Sequence, residues 1–141
     1  MSLQICTGKL HRVYVTEARL DYQGSITIDP VLMAAADILP FQLVHVNSLA
    51  NAVHWETYVI PGKPHSGEIC LNGCPARLFY PGDQVIIMAF EDMTREEAVK
   101  AQHKVVFVDS KNQILKVETK GYGVQKNSED RFDLRNTLSP Q

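Results

Sequence analysis

Cys70 and Cys74 stand four apart with His65 just upstream, a spacing that invites a metal ion. A structural zinc site takes four ligands in recognisable pairs, and no second pair follows. No metal is expected, and the thiols read as small packed groups. The five histidines could be combined with serines and acids on paper, yet no G-x-S-x-G elbow is present to present a nucleophile. Neither common glycine-rich phosphate loop occurs. Aromatic residues make up 8% of the chain and are not interleaved with Lys or Arg as a stacking platform. What remains is a segment near the N-terminus: Gly8-Lys9-Leu10-His11-Arg12, Val15-Thr16, Tyr22-Gln23-Gly24-Ser25 and Ile28-Asp29. On backbone grounds alone, Gly24-Ser25 reads as a bulge or tight turn.

The elements that must position such residues belong to one domain, because 141 residues is a single-domain length. A hydrophobic content of 45% with 21% charged residues is globular and long enough for one core. A net charge of -2 offers no basic field for nucleic acid or anionic lipid. There is no apolar run long enough to span a bilayer and no signal-peptide pattern, so neither a membrane nor a nucleic acid is an expected partner. Three cysteines do not make a disulfide framework. A soluble, cytoplasmic domain is expected.

Along the chain, short strands alternate with turns. Ile5 to Thr16 reads as a long first strand, and Tyr22 to Ile28 as a second, broken at Gly24. Asp29-Pro30 reads as a cap followed by proline in the first turn of a short helix through Ala36. Strands are expected at Phe41 to Val46, His54 to Ile60 and Glu68 to Leu71, with one helical turn at Pro75 to Phe79. Gln84 to Phe90 is the most apolar run and predicts a central, fully buried strand. Thr94 and Glu97 form a capping box. Lys104 to Val108 and Ile114 to Thr119 read as two further strands, and residues 121–141 as a partly disordered tail. Turns every ~8–12 residues favour a mostly-β barrel or sandwich.

The pattern K-L-H-R-x-x-V-T-x-A-x-L-x-Y-x-G-S-x-x-I-D resembles the start of the bacterial aspartate 1-decarboxylases. The likeness continues through Thr57-Tyr58, Asn72-Gly73 and Pro81-Gly82-Asp83 to Val85-Ile86-Ile87. It implies a six-stranded double-psi β-barrel over residues 1–120, with short helices, assembled as a homotetramer with sites between subunits. It also implies a pyruvoyl cofactor made from Ser25. In this family the serine hydroxyl attacks the preceding carbonyl, here that of Gly24, and the amide becomes an ester. Elimination and hydrolysis then leave a pyruvoyl group on a large chain, 25–141, beside a small chain, 1–24. A glycine before the serine suits this, since it leaves the carbonyl unshielded and accepts backbone strain. Decarboxylation of an amino acid needs an electron sink, which a Schiff base to that ketone supplies. The resemblance assigns oxyanion stabilisation to Thr57 and protonation of the product to Tyr58, a weak acid that must be well positioned. It places Lys9 near the substrate carboxylates, and His11, Tyr22 and Asn72 in support of the turn or cavity. A separate acetyltransferase-like maturation factor serves some bacteria.

The chain departs from the family pattern at its expected carboxylate end. The family arginine three positions before the threonine is here His54, and the family Gly-Ala-Ala loop is Gly73-Cys74-Pro75. Arginine grips a carboxylate with two parallel bonds and histidine with one; such a loss in a buried site costs ~2–5 kcal/mol. Proline removes a backbone donor. The expected function is conversion of L-aspartate to β-alanine and CO2 for pantothenate synthesis, with His54, Asn72, Gly73, Cys74 and Pro75 lining the substrate site. A pyruvoyl decarboxylase of another amino acid, or a non-catalytic barrel, stays open at this point.

Overall fold

A computed structural model describes residues 1–121, so the tail expected at 121–141 lies, apart from Gly121, outside the described residues. The chain is mostly β. Its strands are β1 (Leu3–Tyr14), β2 (Glu17–Arg19), β3 (Ser25–Ile28), β4 (Leu43–Ser48), β5 (His54–Pro61), β6 (Ile69–Asn72), β7 (Gln84–Met93), β8 (Gln102–Val108) and β9 (Ile114–Gly121). Two short helices, α1 (Pro30–Ala35) and α2 (Arg95–Ala98), and a 3-10 turn (Cys74–Arg77) complete the described residues.

The strands form one sheet in the order β2-β6-β3-β5-β4-β7-β1-β8-β9. Nine strands stand where the resemblance implied six. At the ends of the order lie the three-residue β2 beside β6, and the β8–β9 hairpin beside β1. Pairing is mixed, since β1/β8, β2/β6 and β3/β5 run parallel and the rest antiparallel.

Local chemistry explains the elements. Asp29 caps α1 by accepting the Val31 N–H at 2.8 Å, with Pro30 in the first turn, where a missing N–H costs nothing. Both Asp29 oxygens also accept backbone N–H groups, from His65 and Gly67, which ties the helix start to the loop before β6. Thr94 and Glu97 make the reciprocal capping box. The second strand is shorter than its sequence suggests: Tyr22, Gln23 and Gly24 lie in a turn, and only Ser25 onward pairs.

The core gathers Leu10, Val13, Ile26, Ile28, Leu32, Val44, Val46, Val59, Leu71, Phe79, Val85 and Ile87. Strand β7 is central, between β1 and β4, but it is not fully buried. Val85, Ile87 and Ala89 are buried, while Ile86, Met88 and Phe90 on the alternate face are partly exposed. The period of two explains the difference, because only one face of the sheet covers the core. The other face carries Lys9, Ser25, His54 and Tyr58.

Candidate active site

The segment Tyr22-Gln23-Gly24 is exposed, and the chain enters the sheet at Ser25, which is 1% exposed. The buried hydroxyl thus adjoins a carbonyl in an open turn. Ser25 pairs across the strands with Asn72, at the end of β6. The Ser25 Oγ–H donates to the Gln23 carbonyl at 3.1 Å and accepts from Asn72 Nδ2 at 3.0 Å. That same amide donates to Thr27 Oγ1 at 2.9 Å, while Asn72 Oδ1 accepts from Cys70 Sγ at 3.2 Å. Asn72 is 1% exposed, so an amide with both N–H donors and its oxygen engaged fixes the serine hydroxyl in a water-poor site. The sequence does not single out Thr27, and it reads Cys70 only as a packed thiol after a metal role is set aside. Their positions two residues after Ser25 and two before Asn72 put all four side chains on one face of the sheet. Burial raises the Cys70 thiol to about 11, which keeps it a neutral donor.

The backbone peculiarity of the turn is not at Gly24, where an added Cβ would meet nothing within 4 Å and no left-handed φ occurs. The expected strain at Gly24 is therefore replaced by a requirement at Gly73. That residue has φ 83° and ψ -144°, and a Cβ on it would lie 2.9 Å from the Gly24 Cα and 3.0 Å from the Gly24 nitrogen. Its N–H donates to the Arg19 carbonyl, as does the Tyr22 N–H. The Arg19 guanidinium lies 5.0 Å over the Tyr22 ring. Gly73 therefore floors the turn that Tyr22 and Gly24 build. Cys74, exposed, and Pro75, buried, open the 3-10 turn that follows. Proline's missing donor falls in the first turn of that helix, where an N–H has no internal partner anyway.

Strand β5 brings the next residues. It runs parallel to β3 with Ile26 opposite Val59, so Tyr58 and Ser25 are the preceding residues on neighbouring strands. Val59 and Ile26 are buried in the core, which puts Tyr58 and Ser25 on the opposite face. Thr57 faces the core and is 8% exposed, back to back with Tyr58, and no hydrogen bond joins it to Gly24 among the described residues.

His54 lies four residues before Tyr58 on the same face. Its Nδ1–H donates to Asn47 Oδ1 at 2.7 Å, and its Nε2 lies 3.3 Å from a Glu56 carboxylate oxygen. The position that holds arginine in the family pattern is thus engaged with this chain's own carboxylate. Lys9 on β1 pairs with Met88, which in turn pairs with His45, itself opposite Glu56. One cross-strand row therefore joins Lys9 to the His54 neighbourhood, at a separation of three strands. The structure brings together Gly24, Ser25, Asn72, Gly73, Tyr22 and Tyr58, and leaves Lys9 and His54 at a distance on the same face.

His11 falls outside this group. It lines an open cleft of about 500 Å³ with Arg12, Phe107, Asp109 and Lys116, among others, and packs edge-on against Phe107 at 5.4 Å. Its Nδ1 is buried with no hydrogen-bond partner among the described residues. Burial first, then the charges of Lys9 and Arg12, hold the imidazole below its ordinary value. The unfolded chain consequently binds that proton more readily than the folded one. Stability supplied by neutral His11 is present above about pH 6.5 and is lost as pH falls through the lowered folded value. The melting temperature is expected to drop between pH 7.5 and pH 5, and to drop less in a His11→Phe variant. An equal drop in both would refute this linkage.

No helix among the described residues is long and apolar enough to cross a membrane. The model of the family described as aspartate decarboxylase matches residues 1–115. A protein named aspartate 1-decarboxylase from Clostridium beijerinckii is 50% identical over 117 residues, covering 83% of this chain and 94% of that protein. One of the same name from Acetivibrio thermocellus is 50% identical over 119 residues, covering 84% and 94%. With the family match spanning most of the chain, and with Gly24-Ser25 seated on Gly73 and Asn72, this chain belongs to the aspartate decarboxylase family.

Proposed function

We propose that the chain is a self-processing decarboxylase that converts L-aspartate to β-alanine and CO2, using a pyruvoyl group made from Ser25. The observation that carries this reading is a buried serine hydroxyl, fixed by Asn72 at the first paired residue of β3, directly after an exposed glycine. The residues present fit the group. A cut before Ser25 leaves residue 25 at the start of a strand whose paired neighbours on β5 and β6 hold it in place.

Self-cleavage starts when Ser25 Oγ adds to the Gly24 carbonyl carbon and the Gly24–Ser25 C–N bond breaks, leaving an ester. Loss of the Ser25 α-proton and breakage of the ester C–O bond free the Gly24 carboxylate. Water then releases ammonia and leaves the ketone on residue 25. Thr57 is the oxyanion donor that the family resemblance assigns in this scheme; its side chain faces the core, so donation requires the Gly24 carbonyl to come round to that face. When present, the pyruvoyl group accepts the electron pair released by loss of CO2.

The chain's own residues do the rest. Tyr58, beside residue 25 on the same face, returns a proton to the substrate carbon. The Asn72 amide, freed of the serine hydroxyl, and the backbone at Gly73, Cys74 and Pro75 hold the substrate. Lys9 neutralises a carboxylate. The separation of Lys9 from Tyr58 along one sheet supports a site completed between subunits of a homotetramer. Exposed Phe41, Leu43 and the half-exposed Ile86 and Met88 on that side support the same assembly. The inner six strands, β6-β3-β5-β4-β7-β1, would form the double-psi barrel. Activity in the cytoplasm, in supply of pantothenate, and a maturation factor that assists cleavage belong to the same proposal.

Intact-mass measurement of the purified chain, paired with β-alanine detection after incubation with aspartate, tests it. Two fragments split between residues 24 and 25 and β-alanine formation are expected. A chain that stays whole, alone and beside a maturation factor, overturns the reading.

A further inference from the structure

His45, Asn47, His54 and Glu56 occupy two adjacent cross-strand pairs of β4 and β5, His45 opposite Glu56 and Asn47 opposite His54. All four point away from the core, because Val44, Val46 and Ser48 on β4 and Thr57 on β5 are the buried alternates. The ligand atoms of His45, His54 and Glu56 lie within 4.8 Å of one another. Glu56 reaches both rings, with its oxygens 3.5 Å from His45 Nε2 and 3.3 Å from His54 Nε2. Tetrahedral ligands at zinc distances of about 2.0–2.1 Å sit roughly 3.3–3.4 Å apart, which the Oε1–His45 and Oε2–His54 spacings each approach, so a small rotation of the Glu56 carboxylate brings one oxygen and both rings onto a shared ion.

The second layer is also built. Asn47 Oδ1 takes the Nδ1 proton of His54, which assigns the lone pair to Nε2, the atom facing Glu56. With Nδ1 engaged by Asn47, Nε2 is the ring atom left to act as a ligand, and it faces the Glu56 carboxylate across 3.3 Å. His45 is held by ring contacts with Phe90 at 4.7 Å and with His54 at 5.1 Å. We propose that His45, His54 and Glu56 bind a divalent transition-metal ion, represented by Zn2+, with solvent in the remaining position and Asn47 orienting His54. Two imidazoles and one carboxylate suit zinc and its neighbours over magnesium or calcium, which prefer all-oxygen sets. The second cluster, Glu17, Glu68 and Cys70, is a poorer candidate. Arg19 already holds Glu17 by two bonds, and burial keeps the Cys70 thiol protonated.

This site does not depend on the decarboxylase reading, since zinc uptake needs neither cleavage nor substrate. Titration calorimetry of the untagged full chain with zinc chloride is expected to give one ion per chain. His45→Ala and Glu56→Gln should each weaken binding by about tenfold or more, and Asn47→Ala by about 10–100-fold, the usual cost of losing an outer partner. Circular dichroism of each variant checks folding. In the unmutated chain, Co2+ should give the intense absorption of a low-coordinate site, removed by added Zn2+. No uptake, undiminished uptake in a His45→Ala/His54→Ala double variant, or loss of uptake on Cys70→Ser would each overturn the proposal.

Discussion

A Ser25→Ala chain is expected to remain one 15.8 kDa species and to release no CO2 from aspartate. Both losses have one cause, because residue 25 supplies the nucleophile that cuts the chain and the carbon skeleton of the ketone that the cut leaves behind. No other side chain in the group can replace it. Tyr58 faces the same way but belongs to another strand, and Thr27 lies two residues beyond the peptide to be broken. The activity lost is the whole enhancement over the uncatalysed reaction, at least about 10^6-fold and in practice to background. Stability should change little by comparison. The Asn72 amide keeps Thr27 as an acceptor and Cys70 as a donor, so the substitution removes two hydrogen bonds, one to the Gln23 carbonyl and one from the Asn72 amide, worth about 0.5–1.5 kcal/mol each. A folded, uncut and inactive protein is thus the expected result. Intact mass and β-alanine detection read it, and either a cut or an active Ser25→Ala chain would refute the pyruvoyl assignment.

Much of this arrangement was legible in the sequence because the letters that carry it are local. Asp29-Pro30 and Thr94 through Glu97 announce helix starts through hydrogen bonds to their own neighbours, and those bonds are present. The strand at Gln84 is central as its apolar run suggests. What the sequence hid depends on pairing between distant segments. The resemblance names Asn72 as support for the turn or cavity, but its bond to Ser25, 47 residues away, is specified by nothing near either residue. Gly24 attracted attention because it precedes the serine, yet the tight approach is made at Gly73, which only the antiparallel pairing of β3 with β6 brings beneath the turn. His54 reads in sequence as a lone departure from a family arginine. The β4–β5 register turns it into one corner of a group with His45, Asn47 and Glu56.

Gly73→Ala tests the part that sequence alone misplaced. At φ 83° and ψ -144° an alanine backbone is strained by about 1–3 kcal/mol. Its Cβ would also press on the Gly24 backbone, at 2.9 Å from Cα and 3.0 Å from the nitrogen, and main-chain atoms cannot rotate aside as a flexible side chain could. Relieving that overlap costs about another 1–3 kcal/mol and must move either the turn or the end of β6. A fall in melting temperature on the order of 10 °C is expected. The fraction that still folds should cut slowly, because a shift of about 1 Å between Ser25 Oγ and the Gly24 carbonyl is enough to cost ~100-fold in rate. Gly24→Ala is the matched control, since its Cβ enters open space and its backbone is not left-handed. That variant should keep its stability within about 0.5 kcal/mol. Thermal melts of the two variants, with the fraction cut followed over time by intact mass, separate the roles of the two glycines. Equal melts and equal cleavage in Gly73→Ala and the unmutated chain would remove Gly73 from the machinery. The expected contrast would instead show that the peptide to be cut is positioned from below, by a residue 49 places further along the chain.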